Sequence, residues 1–337
     1  MQQSPSKILL NWYAENGRCL PWRTKTGEHT NPYVILVSEF MLQQTTVKSV
    51  IPYFKRFMQR FPTIESLAQA DIEDVYALWQ GLGYYTRARS LHSTAQTIVS
   101  QGFFPKTRAE ALKLKGIGKY TAASFLALSF NLPETVIDGN VIRVICRLYN
   151  LTSPIKEIEK QIEAKAEFLT DRKNPADYAS AIMDLGALIC TPKNPQCLIC
   201  PWQKFCLSKN STNLEKIPNR SALSKKEKQG CVYLIYNKKG DIFITKRKEK
   251  GLLSGLYEFP WSENETPIFS FETQNTEQQI THTFTHFKLN LKIYTAHISN
   301  IPEINGQFVP PLELAKYPFS TLMKKVYIKI NKNFPTQ

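Results

Sequence analysis

The 337-residue sequence has no run of about eighteen consecutive apolar residues, which excludes a typical membrane-spanning helix. Its first residues, MQQSPSKILLNWYAENGR, form an amphipathic segment and lack the charged stretch followed by an apolar stretch of a secretory signal peptide. Internal repeats and long low-complexity tracts are also missing. We therefore expect a cytoplasmic protein, without a membrane partner, that is long enough for two ordinary domains.

Acidic residues are outnumbered: 28 Asp and Glu stand against 43 Lys and Arg, for a formal net charge of +15 at pH 7. A positive excess favours a polyanionic partner, because Lys and Arg neutralise phosphates and so supply sequence-independent affinity for nucleic acids. A role of the excess charge in solubility alone is the less favoured alternative. More specific motifs must therefore decide whether the protein binds nucleic acid.

Cysteine is scarce, with seven residues, yet four lie in one window, CTPKNPQCLICPWQKFC, at positions 190–206. Disulfides are rare in a reducing cytosol, so this clustering indicates a metal site. The unequal spacings of six, two and five residues favour a [4Fe–4S] cluster over structural zinc, whose ligands usually form two close pairs. Zinc remains the alternative. The predicted ligands are Cys190, Cys197, Cys200 and Cys206.

The remaining cysteines are scattered, and we expect Cys19, Cys146 and Cys231 to be small buried hydrophobic residues. Lysines also lie in or beside the cysteine window. They indicate a loop that presents positive charge to phosphates, with the cluster holding the loop in shape. These lysines are Lys193, Lys204 and Lys209.

The hydrophobic pattern changes along the chain and predicts two domains. Residues 1–207 have apolar residues at intervals of three and four, as helices do. Residues 208–229 are rich in Lys, Ser and Asn and predict an exposed linker. In residues 230–337, CVYLIYNKKGDIFITKRK predicts two strands joined at a Lys-Gly-Asp turn, and FKLNLKIYTAHI alternates with period two. The expected fold class is an all-α domain followed by an α+β domain.

Two motifs in the helical region carry candidate functional residues. In LKGIGKY, Gly116 and Gly118 predict a tight turn whose backbone N–H groups could approach a phosphate at the start of the next helix, with Lys119 adding charge. In IDGNVIRV, Asp138 ends an apolar run. A plain helix–helix turn and a simple helix cap are the alternative interpretations.

Taken in order, the hairpin, Asp138 and the C-x6-C-x2-C-x5-C window resemble the helix-hairpin-helix DNA glycosylase superfamily, which includes endonuclease III. Within it, SEFMLQQTTV (38–47), GLGYYTRAR (81–89), IDGNVIRV and MDLGALICTPKNPQC are similar to the MutY family of adenine DNA glycosylases. In the second half, GLLSGLYEFP and HTFTHF are similar to that family's Nudix-like domain, which recognises 8-oxoguanine. The paired glutamates of Nudix pyrophosphatases are missing, so this domain should bind without hydrolysing.

The resemblance implies that two carboxyl groups catalyse the removal of adenine. Glu39 lies in the apolar segment VILVSEFML, where burial would raise its pKa, as a general acid that protonates adenine N7 requires. Asp138 would stabilise the oxocarbenium charge on the sugar, with or without a transient covalent bond. Tyr120 and Asn140 would form hydrogen bonds near the reacting sugar.

The resemblance also assigns three groups of binding residues. The adenine pocket would contain Arg18, Leu20, Trp22 and Arg23. Contacts to DNA, including side chains inserted into the base stack, would come from Gln43, Gln44, Tyr84, Gly116, Gly118 and Lys119. The oxidised guanine would be read by Phe284, Thr285 and His286.

Two positions depart from the family pattern. Thr285 replaces the serine of the familiar Phe-Ser-His sequence, and its hydroxyl can still bond to a purine N7. Ser180 stands where relatives carry Glu or Gln. Direct contact with the base from position 180 is therefore not assigned.

The resemblance predicts a monomeric, monofunctional base-excision repair enzyme of bacterial type, associated with the nucleoid through double-stranded DNA. Its substrate would be adenine opposite 8-oxoguanine or guanine. A bifunctional glycosylase and AP lyase like endonuclease III would need a lysine where Tyr120 stands; Lys119 is adjacent, but one helical residue turns its side chain by about 100°. A non-catalytic iron–sulfur module that binds DNA would leave Glu39 and Asp138 unexplained.

Overall fold

A computed structural model describes residues 4–24, 30–220, 226–248, 251–263, 269, 271–284, 287–298, 304–332 and 334–335. The chain divides into two compact units. The first contains Met1–Gln69 and Ser90–Ala222, and the second contains Ala70–Arg89 and Leu223–Gln337. The segment Ala70–Arg89 therefore groups with C-terminal residues, which the expected limits at 207 and 230 did not anticipate. The domain limits at residues 207 and 230 therefore remain a prediction.

Helices dominate the N-terminal two thirds of the chain, as the hydrophobic periodicity predicts. None of those in the described ranges is long and apolar enough to cross a membrane. In chain order they are α1 (Pro5–Asn16), α2 (Pro32–Leu42), α3 (Val47–Arg60), α4 (Ile64–Ala68), α5 (Ile72–Trp79), α6 (Thr86–Gln101), α7 (Arg108–Ala111), α8 (Lys119–Phe130), α9 (Gly139–Leu148), α10 (Ile155–Leu169) and α11 (Pro175–Asp184), with α12 (Thr321–Asn331) near the C-terminus.

The core of the first unit lies among α1, α9, α10 and α11. Leu9, Ile145, Ile162 and Ala181 are almost completely buried there. Trp202, from the cysteine window, joins the same core, and its indole N–H donates a 2.8 Å hydrogen bond to the carbonyl of Pro5. The window is thus packed onto the helical core.

Part of the expected linker also packs on the first unit. Ser208 and Ile217 are buried, and the Arg147 guanidinium donates 3.0 Å hydrogen bonds to the carbonyls of Leu214 and Ile217. The described part of residues 208–229 is therefore not uniformly exposed. The buried Arg147 satisfies backbone carbonyls of this segment, which allows part of it to be buried.

A mixed β-sheet organises the second unit. Its strands are ordered β3-β2-β1-β6-β5, with β4 on β1 and β7 on β2. β1 and β6 are parallel, while β5 and β6 are antiparallel. The strands are β1 (Lys226–Tyr236), β2 (Ile242–Lys246), β3 (Tyr257–Glu258), β4 (Trp261–Ser262), β5 (Gln274–Thr283), β6 (Phe287–His297) and β7 (Gln307–Val309).

The strands predicted from the sequence are confirmed in β1, β2 and β6, and β1 pairs antiparallel with β2 across the expected turn. Side chains of β1 alternate between two cores. Val232 and Leu234 pack in the core that includes α12, while Tyr233 and Ile235 pack on the opposite face. Because both faces are covered there, the second half of β1, CVYLIY (231–236), is apolar without interruption.

The segment Ala70–Arg89 contributes polar and close contacts to the second unit. Tyr85 donates to the carbonyl of Phe319 at 3.4 Å, and Gln80 donates to that of Tyr317 at 3.3 Å. Gly255 has φ +84° and approaches the Tyr76 ring so closely that a Cβ would lie 3.0 Å from its hydroxyl. Glycine is favoured there because L side chains rarely adopt this backbone conformation.

Candidate active site

Glu39 lies inside the first unit, on a helix whose residues from Ile35 to Met41 are all buried. Only 4% of Glu39 is exposed, and its Oε2 atom has no hydrogen-bonding partner of good geometry among the described residues. Burial raises the pKa of Glu39 to about 7, although Ser124 and Tyr120 lower it; smaller effects come from the charge of Asp138, which raises it, and that of Arg23, which lowers it. This carboxyl therefore holds a proton close to neutral pH.

Asp138 caps the N-terminus of α9 and is held by two donors. Its Oδ1 accepts a 2.6 Å hydrogen bond from the backbone N–H of Val141, and its Oδ2 accepts a 2.9 Å bond from the Asn140 amide. A carboxylate is favoured at a helix N-terminus, where N–H groups and the helix dipole converge. The capping interpretation and the functional one are therefore compatible.

Arg143 links this cap to the cysteine window. Its guanidinium donates to Asn140 Oδ1 at 2.8 Å, to the carbonyl of Gly186 at 2.7 Å and to the carbonyl of Cys190 at 2.7 Å. A Cβ on Gly186 would lie 2.7 Å from the Asn140 Cβ, so only glycine permits this approach. Sequence reasoning missed Arg143, although a basic residue inside the apolar pattern of IDGNVIRV was the available signal.

Asp184 was also missed, yet it binds both arginines predicted for the adenine pocket. Its carboxylate is completely buried; Arg18 contacts it through the backbone N–H and guanidinium, and Arg23 through both terminal nitrogens. Leu20 and Trp22, between these arginines, are buried, and Trp22 packs edge-on against Phe54 at a ring distance of 5.2 Å. No local pattern marks Asp184, because its partners are more than 160 residues away.

The predicted hairpin lies beside the end of α2. Gln43 donates 3.3 Å hydrogen bonds to the carbonyl of Gly116 and to the Thr121 hydroxyl. Gly116 has φ +80°, and a Cβ there would lie 2.6 Å from Ser90 Cβ, so glycine is required. Gly118 is the N-cap of α8 and supplies no side-chain cap to its N–H groups. Such a helix start is suited to an anion.

Tyr120 and Lys119 open α8 with different surroundings. Burial raises the pKa of the Tyr120 hydroxyl well above its ordinary value, as do the charges of Glu39 and Asp138. That hydroxyl contacts the sulfur of Met183 at 3.8 Å. Lys119 is exposed. Of the two, Tyr120 interacts electrostatically with both candidate catalytic carboxyl groups.

Gln44 and Tyr84 share an unusual backbone conformation, each within its own unit. Their φ angles are +57° and +50°, and both residues are exposed. Left-handed conformations cost energy for residues other than glycine and are concentrated at functional sites. The Tyr84 ring is 5.2 Å from the buried guanidinium of Arg87, which also donates to the carbonyl of Gly83 at 3.0 Å.

The four clustered cysteines line one cavity, together with Ile189 and Leu214. Burial raises the pKa of the thiols of Cys197, Cys200 and Cys206, that of Cys200 to about 12. Among the described residues, no three side chains of His, Cys, Asp or Glu are close enough to hold one metal ion. Four thiols around one cavity supply the four thiolates that a cubane [4Fe–4S] cluster requires, one for each iron.

Arg147 contributes positive charge to this cavity. It is 1% exposed, lines the cavity and donates from Nη1 to the sulfur of Cys190 at 3.5 Å. A buried cation beside four thiolates offsets part of their charge. Arg147 is a further residue that the sequence did not single out.

The predicted lesion-reading residues are only partly described. Phe284 packs against the sheet core, with ring distances of 4.6 Å to His282 and 4.8 Å to Phe287. Thr285 and His286 lie outside the described residues. The structure thus places one of the three residues of this motif.

The three scattered cysteines and Ser180 can also be located in the structure. Cys146 and Cys231 are buried, as predicted, but the prediction for Cys19 was wrong because it is exposed between Arg18 and the buried Leu20. Ser180 is 5% exposed on α11. Its short side chain is thus enclosed within the first unit.

Family comparisons match three regions of the chain. Residues 37–169 match the HhH-GPD superfamily of base excision DNA repair proteins, residues 190–206 match the iron–sulfur binding domain of endonuclease III, and residues 231–329 match the NUDIX domain. These matches confirm the helix-hairpin-helix fold, the Nudix-like fold and the expected [4Fe–4S] cofactor. The cysteine window is an iron–sulfur binding domain.

Whole-chain relatives agree with these matches. The sequence is 39% identical over 302 residues to adenine DNA glycosylase of Buchnera aphidicola subsp. Baizongia pistaciae (strain Bp), covering 88% of this chain and 84% of that protein. It is 31% identical over 398 residues to the Rattus norvegicus adenine DNA glycosylase, covering 95% and 76%. A thermostable thymine-DNA glycosylase structure superimposes with a TM-score of 0.53 at 27% identity, covering 60% of this chain and 94% of that one. The chain therefore belongs to the adenine DNA glycosylase family.

Proposed function

We propose that this protein hydrolyses the N-glycosidic bond of adenine opposite 8-oxoguanine or guanine in double-stranded DNA. The observation that carries the proposal is the pair of carboxyl groups in the first unit: Glu39 is buried with a pKa near 7, and Asp138 accepts two N–H hydrogen bonds. Two carboxyl groups in contrasting environments are the arrangement by which glycosidic bonds are cleaved.

Glu39 acts as the general acid. Adenine is a poor leaving group as an anion, and protonation at N7 lets it depart as a neutral base. A carboxyl with a pKa near 7 is still substantially protonated at neutral pH, whereas one at its ordinary pKa would be almost entirely ionised. Burial of Glu39 thus supplies the protonated donor that this step needs.

Asp138 stabilises the positive charge that develops on the sugar as the bond breaks. Its carboxylate is oriented before the reaction by Val141 and Asn140, so little reorganisation accompanies the charge. Water then completes the hydrolysis at the sugar. Electrostatic stabilisation and a transient covalent bond are both compatible with this arrangement.

Adenine must leave the base stack to reach these groups. Gln44 and Tyr84 are exposed side chains on left-handed backbone, and we assign them to filling the space beside the lesion. Arg18, Leu20, Trp22 and Arg23 surround the extruded adenine in this proposal. The Gly116–Gly118 hairpin, with Lys119, binds a phosphate at the start of α8.

The iron–sulfur cluster has a structural role in this proposal. When bound, it joins four cysteines of one short window, and none of the proposed hydrolytic steps transfers an electron. The lysines of the window, Lys193 and Lys204, then face the DNA backbone as a positively charged surface. Redox signalling is the alternative role.

The second unit recognises the oxidised guanine. Phe284 is held at the end of β5 by a 2.8 Å hydrogen bond from its N–H to the carbonyl of Phe287. This bond positions the aromatic side chain of Phe284, and we assign Thr285 and His286, the next two residues of the sequence, to reading the guanine edge. The unit binds the lesion and does not hydrolyse a nucleotide.

A single-turnover assay tests the proposal. End-labelled duplexes carry adenine opposite 8-oxoguanine, guanine or cytosine, and each reaction is read with and without alkali. We expect alkali-dependent cleavage at the adenine, fastest opposite 8-oxoguanine. Cleavage without alkali would instead indicate a lyase and direct attention to Lys119, and no cleavage under either condition would favour a binding module.

A further inference from the structure

The cavity lined by the four clustered cysteines has a wall from outside the cysteine window. The matched iron–sulfur binding domain ends at residue 206, yet Lys209 and Leu214 also line this cavity. Both belong to residues 208–219, which we call the post-window segment. Part of the chain that the sequence predicts to be a linker therefore forms part of the cofactor site.

The post-window segment is fixed to the first unit at both ends. At its start, Ser208 is 1% exposed and donates a 3.0 Å hydrogen bond to the side-chain oxygen of Asn150. At its end, the carbonyl of Asn219 accepts a 3.2 Å hydrogen bond from the backbone N–H of Ile155. Ile217 is 4% exposed and joins the core of the first unit. The segment is thus packed in place on the unit that contains the cysteines.

Arg147 binds the cysteine window and the post-window segment with one buried side chain. Its terminal nitrogens donate to window carbonyls, to that of Thr191 at 2.7 Å and to that of Pro192 at 3.0 Å. Its Nε–H is shared between the carbonyls of Leu214 and Ile217, at 3.0 Å each. If the segment moved away, this buried N–H would lose both acceptors, which costs free energy inside a protein.

Glu215 makes a second connection between the segment and the window. Its Oε1 atom accepts a 2.9 Å hydrogen bond from the backbone N–H of Asn194, which lies between the first two cysteines. Asn194 has φ +49°, a left-handed conformation that surrounding contacts help to maintain. Glu215 therefore stabilises a turn of the window from outside it.

We propose that the post-window segment is a cover of the iron–sulfur site, which slows loss of the cluster and is itself held in place when the cluster is bound. Leu214 closes an apolar side of the cavity, while Arg147 and Glu215 hold the segment against the window. By linkage, a cover that stabilises the bound cluster is stabilised by the cluster to the same extent. The inference concerns retention of the cofactor and does not rest on the proposed hydrolysis of adenine.

The first test measures how fast the full-length, iron-loaded protein loses its brown absorbance to an excess of an iron chelator. Leu214→Ala opens the wall of the cavity and should accelerate the loss about threefold or more, because local opening governs access to a buried site. Leu207→Ala is the matched control, since it makes the same substitution at a side chain that is 69% exposed, and it should lose iron at the wild-type rate.

A pair of variants at Glu215 tests the second connection in the same assay. Glu215→Ala removes the acceptor for the N–H of Asn194 and should also accelerate the loss of iron. Glu215→Gln keeps a side-chain oxygen that can accept this hydrogen bond, so its rate should stay close to that of the wild type.

The second test is limited digestion with trypsin, with the fragments identified by mass spectrometry. Lys216 precedes the buried Ile217, so cleavage after Lys216 should be slow in the iron-loaded protein. After the chelator has removed the iron, it should be at least about tenfold faster, because the cover is released. Lys325, exposed on α12 of the second unit, is the control site, where the rate of cleavage should not change.

The outcomes that would overturn the inference are specific. Equal rates of iron loss in the wild type and Leu214→Ala would do so, as would equally accelerated loss in Leu207→Ala or equal cleavage after Lys216 with and without iron. If Leu214→Ala does not fold, as judged by its melting temperature, equal rates in Glu215→Ala and Glu215→Gln would refute the cover. Neither test uses DNA, so failure to release adenine in the single-turnover assay would overturn the proposed function and leave the cover standing.

Discussion

At the scale of single residues, the two carboxyl groups of the candidate site lie in different surroundings. Glu39 is enclosed by apolar neighbours, with Oε2 lacking a partner of good geometry among the described residues. Asp138 is half-buried and accepts hydrogen bonds from Val141 and Asn140. In the proposed mechanism, this difference in surroundings separates the proton donor, Glu39, from the stabilising carboxylate, Asp138.

Replacing Glu39 with Gln removes the acid while preserving size. We expect the single-turnover rate of adenine release to fall at least about 100-fold, because general acid catalysis typically contributes that much. DNA binding, measured by fluorescence anisotropy, should change little. Glu15→Gln, on the exposed side of α1, is the control, and an active Glu39→Gln variant would refute the assignment.

The pH profile offers an independent check on the same group. Because burial raises the pKa of Glu39 to about 7 and the protonated form is the donor, activity should be present below pH 7 and decline above it. Single-turnover rates across this range would show the decline. A rate that stays constant through pH 7 would show that catalysis does not require the protonated form of Glu39.

At the scale of elements, two short segments place functional groups that no single helix could place. The hairpin before α8 brings Gly116 against Ser90 and within reach of Gln43, at the end of α2. The cysteine window packs Trp202 on the helical core while its four thiols line one cavity. The hairpin depends on the close backbone approach at Gly116, and the cysteine window depends on its cofactor.

Gly116→Ala and Gly118→Ala should have different effects on stability. Gly116 has φ +80° and no room for a Cβ, so alanine should lower the free energy of unfolding by about 1–3 kcal/mol. Gly118 has an extended backbone and no atom within 4 Å of a Cβ, so its variant should be nearly as stable as the wild type. Urea unfolding measures both, and equal losses would contradict the turn geometry.

Cys200→Ser should disrupt the cluster site. Three thiolates and a weaker hydroxyl bind iron poorly, so iron content and the brown colour should fall sharply. Because Trp202 joins the core of the first unit, the melting temperature should fall as well. Cys146→Ser, at a buried cysteine outside the cluster site, should retain its iron. A colourless wild-type protein that contains zinc would overturn the cofactor assignment.

At the scale of the whole molecule, the chain combines two compact units to which we assign different tasks. The first unit holds Glu39, Asp138 and the cluster site, and the second holds Phe284 on a separate sheet core. Removal of the base and selection of its partner can therefore be altered separately. The net charge of +15 favours DNA binding by the whole chain.

Phe284→Ala should reduce selectivity more than catalysis. We expect the ratio of rates opposite 8-oxoguanine and guanine to fall about tenfold, as loss of one aromatic contact is worth roughly 1–3 kcal/mol. The rate opposite guanine should stay close to that of the wild type. Phe308→Ala, at an aromatic residue of the opposite sheet face, is the control for nonspecific damage. An unchanged ratio would remove the proposed role of the second unit.

The sequence by itself determined what local spacing encodes. Helical and strand periodicities, the ligand set of four cysteines and the glycine hairpin all depend on residues close together in the chain, as do the motifs that carry the family resemblance. The tertiary structure decided what depends on distant residues. Burial sets the pKa of Glu39, and Asp184 meets Arg18 across 166 residues of sequence. The grouping of Ala70–Arg89 with the C-terminal residues likewise depends on packing between distant segments, which no local pattern records.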